Sequence, residues 1–145
     1  MVIAIASDHG GTDLKRQLVE QLQAKEGVQV LDLGTHGTES VDYPEYARRV
    51  CIALLSGEAQ RGILLCGTGL GISMAANRYP GIRAALCHDE YTARLSRRHN
   101  DANVLVLGGR LLGSALAAAM LDLWLTEPFE GGRHQRRIDM LDEHN

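Results

Sequence analysis

Cys66-Gly67-Thr68-Gly69-Leu70-Gly71, near the middle of this 145-residue chain, combines a thiol, a hydroxyl and three glycines. Glycines at alternate positions let a backbone approach a ligand closely, and a following helix aims its free N–H groups at the same point. Such a loop suits a phosphate or an oxyanion. Three well-known uses fail on spacing. A dinucleotide loop needs a glycine where Ile72 stands, and a cysteine phosphatase needs an arginine at that same position. A P-loop needs Lys followed by Ser or Thr, which this segment lacks. What remains is a thiol flanked by backbone amides and the Thr68 hydroxyl, fitted to act as a base. Cys51, inside an amphipathic stretch, and Cys87 read instead as small buried hydrophobes.

Basic groups form a second set. Arg133 and Arg137 are four apart, so a helix places both on one face, where they can clamp a phosphate. His9 and Arg110 each follow a strand-like run and could join them. Taken singly, any of these is more often a solvated surface charge. His99, in Arg97-Arg98-His99-Asn100-Asp101, is either a helix cap or an acid–base group. With a net charge of -3 the chain has no global draw toward nucleic acid or an anionic membrane. An anionic ligand must therefore be held by a local cluster. No His, Asp and Glu set has persuasive metal-ligand spacing, so no metal and no cofactor are expected.

These groups need a scaffold, and the apolar pattern supplies one. Val2–Ser7, Val28–Leu33, Ile63–Cys66, Ala84–Cys87 and Val104–Leu107 are short runs, mostly apolar on successive residues, the pattern of strands covered on both faces. Amphipathic stretches lie between them: Leu14, Leu18 and Leu22 mark one, and Tyr46–Leu55, Leu70–Asn77, Tyr91–His99 and Gly113–Leu125 follow. The alternation predicts a three-layer α/β/α Rossmann-like domain with a five-stranded parallel sheet spanning residues 1–145, plus an extension helix from Arg133 to Glu143. Function in such sheets sits at the carboxyl ends of the strands, beside the switch in strand order. Asp8-His9-Gly10-Gly11 and the Cys66 loop would face each other there if strands 1 and 3 are neighbours. Aromatics are only 4% of residues, so the core must be aliphatic. Three widely spaced cysteines argue against a disulfide framework and for reduced thiols in the cytoplasm. The N-terminus, without a basic region and too short to span a membrane, reads as a first buried strand.

The motifs Asp8-His9-Gly10-Gly11, Asp42-Tyr43-Pro44, Cys66–Ser73, Gly81-Ile82-Arg83-Ala84, His99-Asn100-Asp101 and Glu130-Gly131-Gly132-Arg133-His134 occur in this order along the chain. Together they resemble the type B ribose-5-phosphate isomerases, from the first strand to the last helix. The same superfamily includes allose-6-phosphate isomerases and two-subunit galactose-6-phosphate isomerases. The resemblance implies an aldose–ketose isomerase that interconverts ribose 5-phosphate and ribulose 5-phosphate, with Cys66 moving a proton between C2 and C1 through a cis-enediolate. It implies that Thr68 and the amides of Gly67, Gly69, Leu70 and Gly71 stabilise the enediolate oxygen. It gives His99 ring opening, Asp8 and Asn100 the sugar hydroxyls, and His9, Arg110, Arg133 and Arg137 the phosphate and sugar pocket, with Tyr43 as a wall. It also implies a homodimer or homotetramer with sites shared between subunits. Some members place a glutamate elsewhere instead of the cysteine; Cys66 aligns this chain with the cysteine type.

Overall fold

Strands that are apolar on successive residues need cover on both faces, and the three central strands receive it in full. The computed structural model describes residues 1–143. In chain order it contains β1 (Val2–Ser7), α1 (Thr12–Gln23), β2 (Gln29–Asp32), α2 (Tyr43–Leu55), β3 (Arg61–Cys66) and α3 (Leu70–Ala76). There follow β4 (Ala84–Leu86), α4 (Glu90–Arg98), β5 (Val104–Gly108), α5 (Ser114–Thr126), α6 (Arg133–Asp139) and a 3-10 turn at Met140–Asp142. All strands are parallel, in the order β2-β1-β3-β5-β4. The strand order reverses between β1 and β3, as the glycine-rich loops require.

Alternate residues of the central strands feed two separate cores. Ile3, Ile5, Ile63, Leu65, Leu105 and Leu107 pack under α1, α4 and α5. Ala4, Ala6, Leu64, Cys66, Val104 and Val106 pack under α2 and α3. The second layer is made of smaller residues, and a β-carbon at Gly62 would sit 2.5 Å from Val50 Cγ1. That small surface lets α2 lie close to the sheet, and it sends the Cys66 side chain toward α2 and α3. Each fully buried Leu or Ile contributes roughly 1.5–3 kcal/mol of hydrophobic stabilisation.

Two helix limits differ from the sequence expectation by more than one residue. α2 starts at Tyr43 instead of Tyr46, because Pro44 suits the first turn and extended Asp42 precedes it. The extension helix stops at Asp139 and tightens into the 3-10 turn before Glu143. Trp124, the one tryptophan of the chain, is fully buried near the end of α5. The guanidinium carbons of Arg61 and Arg97 lie 5.2 and 5.9 Å from its ring centre. Among the described residues no helix is long and apolar enough to cross a membrane.

Candidate active site

Three loops meet at the carboxyl edge of the sheet because glycines allow it. A β-carbon on Gly10 would lie 2.8 Å from the Gly67 nitrogen, and one on Gly109 would lie 2.6 Å from the Gly10 carbonyl oxygen. The Gly109 N–H donates to the Cys66 carbonyl (2.8 Å) and the Arg110 N–H to the Gly67 carbonyl (3.0 Å). The loops after β1, β3 and β5 are thus fastened together without side chains between them.

The reactive-looking groups sit on that frame. The Gly69 N–H donates to Cys66 Sγ at 3.1 Å, which ties the buried sulfur to the turn entering α3. Gly69 holds φ at +82°, a left-handed conformation that glycine adopts without penalty. The Leu70 N–H donates to Thr68 Oγ1 (3.2 Å), and the exposed Thr68 side chain stands at the loop's outer side. The amides of Gly67, Thr68 and Gly71 have no acceptor among the described residues. The Tyr43 ring covers Gly71, where a β-carbon would lie 2.6 Å from Cζ of the ring. Arg110 folds back over Gly67, its Nη1 3.1 Å from the position of a β-carbon there.

Asp8 and His9 complete this edge. Asp8 is 7% exposed, and its Oδ1 accepts the Gly10 N–H at 2.8 Å. The Val41 N–H donates to His9 Nδ1 at 3.2 Å, so a neutral His9 carries its proton on Nε2. The other two cysteines stand apart from this chemistry. Burial pushes the Cys51 thiol up to about 12 and also raises Cys87, so both stay protonated.

His99, Asn100, Arg133 and Arg137 are elsewhere. Register pairs Cys66 with Gly108 at one end of β5 and Gly62 with Val104 at the other. His99 is the C-cap of α4 and precedes Val104, so it lies at the amino edge of the sheet. Four strand steps at about 3.3 Å separate the two edges by roughly 13 Å within one chain. Arg137 lines a cavity of about 230 Å³ with His99, Asn100, His134, Ile138 and Leu141. Arg133 opens α6 beside it. One chain therefore gathers Asp8, His9, Tyr43, Cys66–Gly71 and Arg110 at one edge, and His99, Asn100, Arg133 and Arg137 at the other. The expectation that His9 and Arg110 join the arginine pair is not met within a single chain. Arg110, Arg133 and Arg137 pair with no carboxylate among the described residues, which leaves all three open to an anion.

The relatives of this chain carry the same architecture. The family model described as Ribose/Galactose Isomerase matches residues 3–141. The chain belongs to the ribose/galactose isomerase family. The "Ribose-5-phosphate isomerase B" of Escherichia coli (strain K12) is 50% identical over 139 residues, covering 96% of this chain and 93% of that protein. A ribose 5-phosphate isomerase of Thermotoga maritima, solved by crystallography, superposes with a TM-score of 0.95 at 57% identity, covering 98% of this chain and 97% of that one. The "D-erythrulose-4-phosphate isomerase" of Pectobacterium atrosepticum is 42% identical over 140 residues, covering 96% of this chain and 91% of that protein. This member of the family is therefore an enzyme of the isomerase type, and its five-stranded three-layer sheet is the fold of its relatives.

Two residues of the amino edge escaped the sequence reading. His134 is 5% exposed and stacks on His99, with ring centres 4.2 Å apart and planes 11° from parallel. Glu130 Oε2 lies 3.4 Å from His134 Nε2 and 3.9 Å from His99 Nε2. Burial, reinforced by the positive charge of Arg133 and by His99, lowers the His134 pKa below the usual imidazole value. The four-residue spacing of Glu130 and His134 was visible in the sequence; His99 as their third member was not, because tertiary packing alone brings it there.

Proposed function

We propose that the chain interconverts an aldose phosphate and its ketose, with D-ribose 5-phosphate and D-ribulose 5-phosphate as the substrate pair. The observation that carries this is Cys66, a thiol held by the Gly69 amide in a loop whose Gly67, Thr68 and Gly71 amides have no acceptor among the described residues. In the open-chain aldose, the Cys66 thiolate removes the C2 proton. The C–H electron pair becomes the C1=C2 bond, and O1 takes the negative charge. Free amides at Gly67, Thr68 and Gly71, with the Thr68 hydroxyl, stabilise that oxyanion, the kind of contribution that is usually largest in such sites. The O2 hydroxyl proton passes to O1, Cys66 returns its proton to C1, and the carbonyl re-forms at C2. Nothing is oxidised or reduced overall, and no external electron carrier enters the balance.

The layout of one chain calls for a second. His99 is suited to opening the furanose ring, Asn100 to binding a sugar hydroxyl, and Arg133 and Arg137 to holding the phosphate, yet these stand at the far edge from Cys66. A two-fold dimer that sets the carboxyl edge of one copy against the amino edge of the other completes two identical sites with one interface. In that arrangement Asp8, His9, Tyr43 and Arg110 line the sugar side of the pocket.

Mixing Cys66→Ala and His99→Ala chains after dissociation tests both parts. Each variant alone is expected to lose two or more orders of magnitude in kcat, the scale of general acid–base catalysis. A mixed dimer contains one intact site, so random reassociation restores about a quarter of wild-type activity. If subunits exchange and activity stays absent, the two residues do not serve one shared site. Assays with four-, five- and six-carbon aldose phosphates decide the chain length, since the Pectobacterium relative is named for a four-carbon sugar.

A further inference from the structure

At the amino edge the chain brings two imidazoles and a carboxylate together by a specific local route. Gly131 and Gly132 both hold positive φ, at 68° and 59°, and turn the chain sharply between Glu130 and α6. The Glu130 N–H donates to the Arg98 carbonyl at 3.0 Å, which fixes this turn against the end of α4, where His99 is the cap. One ligand atom from each of His99, Glu130 and His134 lies within 4.8 Å of the other two.

His134 supplies an independent sign that the cluster is incomplete. Its side chain is 6% exposed, and Nε2 is buried without a hydrogen-bond partner among the described residues. The 3.4 Å approach of Glu130 Oε2 is an ion-pair distance whose geometry makes no hydrogen bond. A buried ring nitrogen left unpaired is costly, and it is the atom through which a neutral imidazole binds a metal.

We propose that His99, Glu130 and His134 form a binding site for a divalent transition ion of the zinc class, and that this ion inhibits the isomerase. Two imidazoles with one carboxylate form a donor set that suits zinc in a tetrahedral site with an open fourth position, whereas calcium and magnesium prefer oxygen ligands. Ligand atoms about 2.0–2.2 Å from one tetrahedral ion stand roughly 3.3–3.6 Å apart. The Glu130–His134 separation already meets that spacing, and the Glu130–His99 separation of 3.9 Å is close to it. The stacked rings point their nitrogens side by side, so His99 must tilt for both to converge. It is free to do so, being half-buried at a helix end, while His134 is held by burial. Binding captures the His99 imidazole, the group that the reading given above assigns to ring opening; the inhibition rests on that reading, whereas the metal site does not.

The test uses the full-length protein freed of metal. Zinc is titrated against a chromophoric chelator, and cobalt is added in parallel to read its visible ligand-field spectrum. The expected result is one zinc per chain, an intense tetrahedral cobalt spectrum, and no displacement by millimolar magnesium. Glu130→Gln, at an exposed position, should weaken zinc binding at least about tenfold, and Cys66→Ala should leave it unchanged, which excludes the loop thiol as ligand. Turnover of the wild type should fall with zinc occupancy and recover with chelator, while Glu130→Gln keeps its own metal-free rate at the same zinc concentration. Absence of saturable zinc binding, or binding lost in Cys66→Ala but kept in Glu130→Gln, overturns the site. Binding that depends on Glu130 but leaves turnover untouched overturns the inhibition and the role of His99, and leaves the metal site standing.

Discussion

Gly69→Ala tests whether the loop geometry around Cys66 is imposed by sterics. Gly69 holds φ at +82°, and a β-carbon there would lie 2.5 Å from Leu86 Cδ1 and 3.3 Å from the Leu107 carbonyl carbon. Gly57 is the control, since its φ is +81° and nothing lies within 4 Å of the same position. An alanine at left-handed φ costs about 1–2 kcal/mol, offset by roughly 0.4–1 kcal/mol from the stiffer unfolded chain. Gly57→Ala should therefore lose about 0.5–1 kcal/mol. Gly69→Ala adds a displaced Leu86 rotamer at about 0.5–1.5 kcal/mol and a tight backbone contact, for a total of about 2–3 kcal/mol. At roughly 3–4 °C per kcal/mol for a chain of this size, Gly69→Ala should melt about 6–12 °C lower, and Gly57→Ala about 2–4 °C lower. Thermal and urea unfolding of both variants measure the difference. Any shift that relieves the clash also moves the amide bonded to Cys66 Sγ, so turnover should fall in Gly69→Ala and not in Gly57→Ala. Equal melting of the two variants, with normal turnover in both, would refute the steric reasoning.

The arginine pair and an acidic anchor give two further tests. Arg137→Ala should raise KM for a phosphorylated substrate far more than it changes the rate with the unphosphorylated sugar; equal losses on both would make the residue structural. Glu127 receives Arg98 at 2.7 Å and Arg94 at 3.1 Å, and the Arg98 hydrogen bond, followed by the charges of both arginines, holds its carboxyl below the usual range. A depressed carboxylate stabilises the fold above its unfolded pKa, and the benefit disappears as pH falls through the folded value. Glu127→Gln should thus be less stable than wild type at neutral pH, with the gap closing below the ordinary carboxylate range; urea midpoints across pH check this, and a constant gap would contradict it.

The strands were legible because burial on both faces leaves unbroken apolar runs, and the Gly-rich loop was legible because a thiol followed by alternating glycines has few other uses. Helix starts were read less well: Tyr46 begins the hydrophobic period, but Pro44 and Asp42 set the first turn at Tyr43. The third strand, read as starting at Ile63, runs from Arg61, and it includes Gly62 because Val50 leaves no room for a side chain there. Spacing along the chain could not separate Cys66 from His99 by a sheet's width, since that follows from which end of β5 each lies beside. For the same reason the cluster of His99, Glu130 and His134 stayed hidden, because only the turn at Gly131-Gly132 and the bond from Glu130 to Arg98 draw it together.

Burial of Trp124 beneath Arg61 and Arg97 gives the molecule a built-in optical reporter. With one tryptophan in the chain and none of its ring exposed, ultraviolet emission comes from a single dry environment and shifts to the red only when α5 leaves the sheet. The ring sits against Arg61, at the start of β3, and therefore at the opposite end of that strand from Cys66. Fluorescence from this position follows loss of the α1–α4–α5 core and is insensitive to events confined to the Cys66 loop, so the folding of the scaffold and the occupancy of the loop can be observed separately in the same cuvette.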